Sequence, residues 1–126
     1  MSRQPFEYAV LRAVPRVDRG EFVNVGVMLY CQASNFLAAR TRVDAGRLLA
    51  LDAAADVAAV EAALATVAAA CAGDPSAGPV AQSPAGVRFR WLASPRSTVV
   101  QSSPVHSGLT QDPAQQLSHL FAQLVQ

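Results

Sequence analysis

The chain has 126 residues, of which 52% are hydrophobic and 15% charged. That composition excludes a disordered chain, and the length leaves room for one domain, residues 1–126, not two. Ten basic and nine acidic residues give a net charge of +1, so no global field draws the chain to nucleic acid or to a membrane.

The basic residues are all arginine, each a planar fork suited to carboxylates and phosphates. Residues 1–50 carry seven Arg and four acids. Residues 51–86 carry four acids and no base, and residues 87–126 carry three Arg and one Asp. Two cysteines, Cys31 and Cys71, do not make a disulfide framework. The N-terminus, Met-Ser-Arg-Gln-Pro, has no apolar leader. The most apolar stretch, 57–72, is mainly alanine and contains Glu61, too short and too weak to span a bilayer. A reduced, cytoplasmic protein with no membrane association is expected.

Residues 6–14 (FEYAVLRAV) alternate and predict a strand. Pro15 stops it, and Asp18, Arg19 and Gly20 supply turn chemistry. Residues 21–31 (EFVNVGVMLYC) predict a second strand, with Val23, Val25, Val27, Leu29 and Cys31 on one face. It is apolar on nearly both faces, so it is expected at the centre of the sheet. A third strand is predicted over 36–43 (FLAARTRV). Asp44 begins a short helical segment with Leu48, Leu49 and Leu51. Asp52 or Asp56 caps a long helix reaching about residue 72, with Val57, Val60, Leu64, Val67 and Cys71 in one stripe. Gly73-Asp74-Pro75 ends it.

Residues 73–86 (GDPSAGPVAQSPAG) read as a flexible internal loop. The segment VRFRWLA (87–93) alternates and reads as a strand with Val87, Phe89 and Trp91 inward. TVVQ (98–101) reads as a short strand and SSPVHSGLT as irregular. Asp112-Pro113 opens a final helix over 113–125, with Leu117, Leu120, Phe121 and Leu124 in its stripe. The order β-β-β-α-β-β-α predicts an α+β fold: an antiparallel sheet of about five strands with two main helices packed on one face.

The first hairpin, centred on 17–18, places Arg12 beside Asn24, with Arg16 and Glu21 at its end. Arg40 and Arg42 share a face that cannot be the Val23/Val25/Val27 face. Arg88 and Arg90 point away from Phe89 and Trp91. The expectation is an open sheet face bearing Arg12, Asn24, Arg40, Arg42, Arg88 and Arg90. Such a face could hold a phosphate-bearing ligand or an acidic partner surface; the plainer reading is an ordinary solvated sheet face. The face is either free or buried in a homodimer. The arginines are not interleaved with aromatics, which speaks against nucleic acid. Gly26 in a central strand signals a bulge or the close approach of another backbone.

His106 lies near Ser103, Ser107 and Asp112, but no strand-to-helix nucleophile elbow accompanies it. His119 falls on the polar side of the last helix. No metal-ligand spacing and no phosphate-cradling glycine loop is present, so neither a metal nor a cofactor is expected, and no catalytic residue is assigned. SPRSTVVQSSP (94–104) places hydroxyls around Arg96, as a docking strand or phosphoacceptor would; a turn and edge strand explain it equally.

The block YAVLRAVPRVDRGEFVNVGVMLYC (8–31) resembles the domain-of-unknown-function family 3037 of small bacterial proteins. The resemblance continues through FLAARTRVD (36–44), the Asp52–Asp56 region, RFRWLASPRSTVVQSSPVHSGLTQDP (88–113) and LSHLFAQLV (117–125). It carries no established activity. It implies candidate functional positions at Arg12, Arg16, Glu21, Asn24, Gly26, Arg42, Asp44, Ser94, Pro95 and Arg96. It also implies a pairing with HipA-like kinase-fold proteins, beside whose genes such proteins are often encoded. The leading expectation is a non-catalytic partner of such a protein, docking through the arginine face or the 94–108 segment. The alternative is a small enzyme or ligand-binding domain for a phosphorylated or nucleotide substrate. The candidate binding residues are Arg12, Arg16, Glu21, Asn24, Arg40, Arg42, Arg88, Arg90 and Arg96.

Overall fold

The computed structural model of the chain describes residues 2–126. Alternating sequence builds strands β1 (Gln4–Ala13), β2 (Val23–Cys31) and β3 (Phe36–Thr41), each antiparallel to the next. Two further short strands, β4 (Val100–Ser102) and β5 (His106–Thr110), both pair with β1. β4 runs beside Leu11–Ala13 and β5 beside Gln4–Tyr8. The sheet is open, in the order β3-β2-β1-β4, with β5 also on β1. The class is α+β, as the alternation predicts.

The described residues also form four helices: α1 (Ala45–Leu51), α2 (Val57–Ala72), α3 (Ala85–Leu92) and α4 (Pro113–Leu124). Asp44, Asp56 and Asp112 cap α1, α2 and α4, each accepting from a backbone N–H three residues on. α2 ends at Gly73, whose φ of 73° closes its last turn. Residues 73–86 hold two 3-10 turns, Pro75–Ala77 and Pro79–Gln82, before α3 begins. No helix among the described residues is long and apolar enough to cross a membrane.

Three expectations are corrected. First, residues 87–93 are not a strand: 87–92 lie in α3 and Ala93 caps its end, and only Phe89 and Leu92 of the segment are buried. Ala85, Phe89 and Leu92 are four and three residues apart, the spacing of one helical face. Second, HSGLT is not irregular but is β5, and the preceding strand begins at Val100 rather than 98.

Third, the helices are not confined to one face. α1, α2 and α3 enclose one core with Ala9, Leu11, Met28 and Phe89. α4 encloses a second, with Phe6, Val27, Leu29 and Cys31 beneath Leu117, Leu120 and Phe121. β2 is apolar on both faces, so both must be covered. A bulge also separates residues that plain alternation puts together. β1 and β2 shift register between Leu11 and Arg12, so Val25 joins the first core while Val27 joins the second. Gly26 sits at that shift. A Cβ there would lie 2.9 Å from the Arg40 carbonyl oxygen and 3.1 Å from Leu11 Cδ1. Both readings of this glycine, bulge and close approach, therefore hold.

Candidate functional site

The predicted arginines do not gather on an open face, because α4 and α3 occupy both sides of the sheet. They fall into four groups.

Arg40 and Asn24 seat α4. The Arg40 guanidinium lies 4.8 Å from the Phe121 ring centre and donates to Ser118 Oγ at 2.9 Å. Asn24 Nδ2 donates to the Leu124 carbonyl at 3.1 Å, meeting an unpaired acceptor of the last turn. Arg88 and Arg90 are struts of α3. Arg88 donates to the Cys71 and Ser83 carbonyls at 3.2 and 2.7 Å, so it closes the end of α2. Arg90 makes a two-pronged pair with Glu7 of β1, at 2.8 and 2.7 Å. That bond holds the Arg90 pKa above its ordinary value. Burial pushes the Cys71 thiol up to about 12, so it stays protonated and unreactive at neutral pH.

Arg16 and Glu21 both lie at the hairpin end. They border a hollow of about 310 Å³ with Pro15, Arg19 and Asp52. Their charges are already matched: Arg16 pairs with Asp18 at 3.2 Å, and Arg19 with Glu21 at 2.6 Å. The Arg19 hydrogen bond holds the Glu21 carboxyl below its ordinary pKa.

Arg12, Arg42 and Arg96 form the last group, with no carboxylate within ion-pair distance among the described residues. Arg12 stands opposite Asn24 on one side and Gln101 on the other, with its guanidinium 4.2 Å from the Phe22 ring centre. Its Nε is buried and has no hydrogen-bond partner. Arg42 lies at the β3 edge, beside a hollow of about 250 Å³ that it shares with Glu61 and Leu64. Arg96 packs 4.1 Å over the Trp91 ring and donates to the Trp91 carbonyl at 2.6 Å.

Arg96 also joins two hollows of about 270 and 370 Å³ that share Gln101 and Ser102. Together they make a groove along the outer side of β4. Its floor includes Leu11, Leu92 and Val100, and α2 contributes Ala63 and Val67 to the wall. Trp91 is 45% exposed, Val99 36% and Val105 40%. Sequence reading puts Trp91 in the core, and so misses this groove. The helical spacing of Phe89 and Leu92 is the signal that turns Trp91 outward.

The model of a protein family of unknown function, DUF3037, matches residues 8–125, nearly the whole chain. The chain belongs to the DUF3037 family. No curated protein and no solved structure matches it at a significant level. The DUF3037 match runs through the hairpin end, the Arg12 row and the Trp91–Arg96 groove alike. The geometry must therefore decide among them. Of the residues the resemblance singles out, Gly26 and Asp44 have structural tasks, as a close approach and a helix cap. Ser94 Oγ donates to carbonyls of the last turn of α3 at 2.9 Å. Ser94, Pro95 and Arg96 border the groove beside β4, and Arg96 is the charged one among them.

Proposed function

We propose that this DUF3037 chain is a non-catalytic interaction module that docks a HipA-like kinase-fold protein through the groove beside β4. One observation carries the docking site: the chain's single tryptophan is exposed at the rim and stacked by an arginine without a carboxylate partner. Tryptophan and arginine in a well-formed depression are the residue types that dominate interface energetics. The kinase-fold identity of the partner rests on the family resemblance. Co-expression with a HipA-like kinase-fold protein, followed by size-exclusion chromatography, tests both parts. A one-to-one complex is expected, lost in Trp91→Ala and retained in Arg42→Glu, which alters the opposite edge of the sheet. Loss in Arg42→Glu alone would move the docking site to β3.

A second reading has its own observation, the buried and unpartnered Nε of Arg12. It is the alternative of a phosphate-bearing or nucleotide ligand, held at Arg12 beside Asn24. A ligand at 100 times its dissociation constant stabilises by about 2.7 kcal/mol. A thermal shift with inorganic phosphate or a nucleotide, abolished in Arg12→Gln, would support this reading. A flat response across the panel would remove it.

A further inference from the structure

The groove beside β4 constrains what can enter it, granted that it is the docking site proposed above. We infer that it receives a short acidic peptide segment of the partner, pairing a bulky apolar side chain with a neighbouring carboxylate.

Three features lead there. The first is shape. The hollow between α2, α3 and β4 has about 270 Å³ and an apolar floor of Leu11, Leu92 and Val100. That apolar floor, opening onto the second hollow past Arg96, suits an inserted apolar side chain with more chain running beside it. The second is charge. Arg96 is the one charged side chain bordering either hollow. One of its terminal nitrogens is held by the Trp91 carbonyl and its plane by the Trp91 ring. The remaining N–H groups have no acceptor among the described residues. A guanidinium fixed in this way offers a preset fork, and a carboxylate is the group that matches it. The third is the edge itself. β4 has three residues, and the Val100 carbonyl already accepts from Thr98 Oγ1 at 2.7 Å. Pro95 and Pro104 flank it, and neither has an N–H to donate. A long added strand therefore finds no ladder here, and recognition must come from side chains.

Trp91 is the only tryptophan in the chain, so the groove reports its own occupancy. The test titrates the full chain with two blocked synthetic peptides and follows Trp91 fluorescence. One carries a leucine pair flanked by glutamates; the other carries lysines in place of the glutamates. The acidic peptide is expected to give a saturable change and to bind roughly tenfold more tightly, as a charge-assisted hydrogen bond supports. Arg96→Glu should reverse the preference, and Arg96→Gln should abolish it. Circular dichroism of both variants, expected to match the parent, separates lost recognition from lost folding. Equal responses to the two peptides, or none, would overturn the inference. The outcome is separable from that of the docking site. If Trp91→Ala releases the kinase-fold protein while both peptides bind alike, the site stands and the acidic peptide falls. If the complex survives Trp91→Ala, the docking site falls.

Discussion

The two faces of the sheet are covered in different ways. On one, a single amphipathic helix, α4, lays Leu117, Leu120 and Phe121 over Phe6, Val27 and Leu29, and polar side chains of the strands hold it down. On the other, α1, α2 and α3 divide the work, and the longest of them is mostly alanine. Alanine lets a helix approach closely but supplies little volume. Where α2 passes β4 it presents Ala63 and Val67, and they leave the hollow that Trp91 and Arg96 border. Polar groups position structure on both faces, and on the second a shortage of side-chain volume also opens a groove. An arginine-rich sequence thus says little about binding until each guanidinium's partner is known.

The largest test of this contrast is Phe89→Ala. Phe89 is fully buried and packs against Tyr30, with ring centres 5.6 Å apart. Removing a buried aromatic side chain costs about 3–5 kcal/mol, read as a shift in the urea midpoint. A loss below about 1 kcal/mol would mean that α3 contributes no core and that the three-helix layer is wrongly drawn.

Gly26→Ala comes next, at about 1–3 kcal/mol, the cost of overpacking. The added Cβ meets a backbone oxygen at 2.9 Å, and backbone cannot swing aside. A neutral result would show that the bulge relaxes freely.

Asn24→Ala should cost about 1 kcal/mol, the loss of one partly buried hydrogen bond. Its signature sharpens the comparison: amide exchange should quicken in the last turn of α4 and stay unchanged in α2. Uniform quickening would show that the two faces unfold as one unit.

Much of this was legible in the residues, and what was not had local causes. The two-sided apolarity of β2 already called for cover on both faces, although helices on one face were expected. Asp44 and Asp112 announced two helix starts by capping chemistry alone, and the choice between Asp52 and Asp56 for the long helix falls to Asp56. VRFRWLA was misread because seven residues fit a period of two and a period of 3.6 equally well; burial of Phe89 and Leu92 together, with Trp91 outside, decides it. β5 has one large apolar residue, Leu109, and is a strand because β1 offers it partners and Phe6 packs against Gly108. Such pairing is tertiary and leaves no mark on alternation. The Arg12–Asn24 neighbourhood followed from hairpin register and is present. The arginine face failed for two reasons: Arg88 and Arg90 lie on helix α3 and not on a strand, and α4, which takes up Asn24 and Arg40, reaches them from up to a hundred residues away.

The smallest expected effect is at the hairpin end. Arg19 and Glu21 are bonded at 2.6 Å, but their side chains are 58% and 46% exposed, so water and salt screen the pair. The Arg19 bond depresses the Glu21 pKa. A depressed carboxylate pKa contributes stability above the ordinary carboxylate range, and that contribution is lost as pH falls through the folded-state value. Arg19→Ala should therefore leave the melting temperature within error of the parent at pH 7. Any residual difference should vanish in acid and in high salt. The same variant should leave the proposed complex intact, because the groove beside β4 lies elsewhere. A drop in stability as large as that of Asn24→Ala would make the hairpin end a structural clamp. Loss of the complex would instead place the hairpin end within the contact surface.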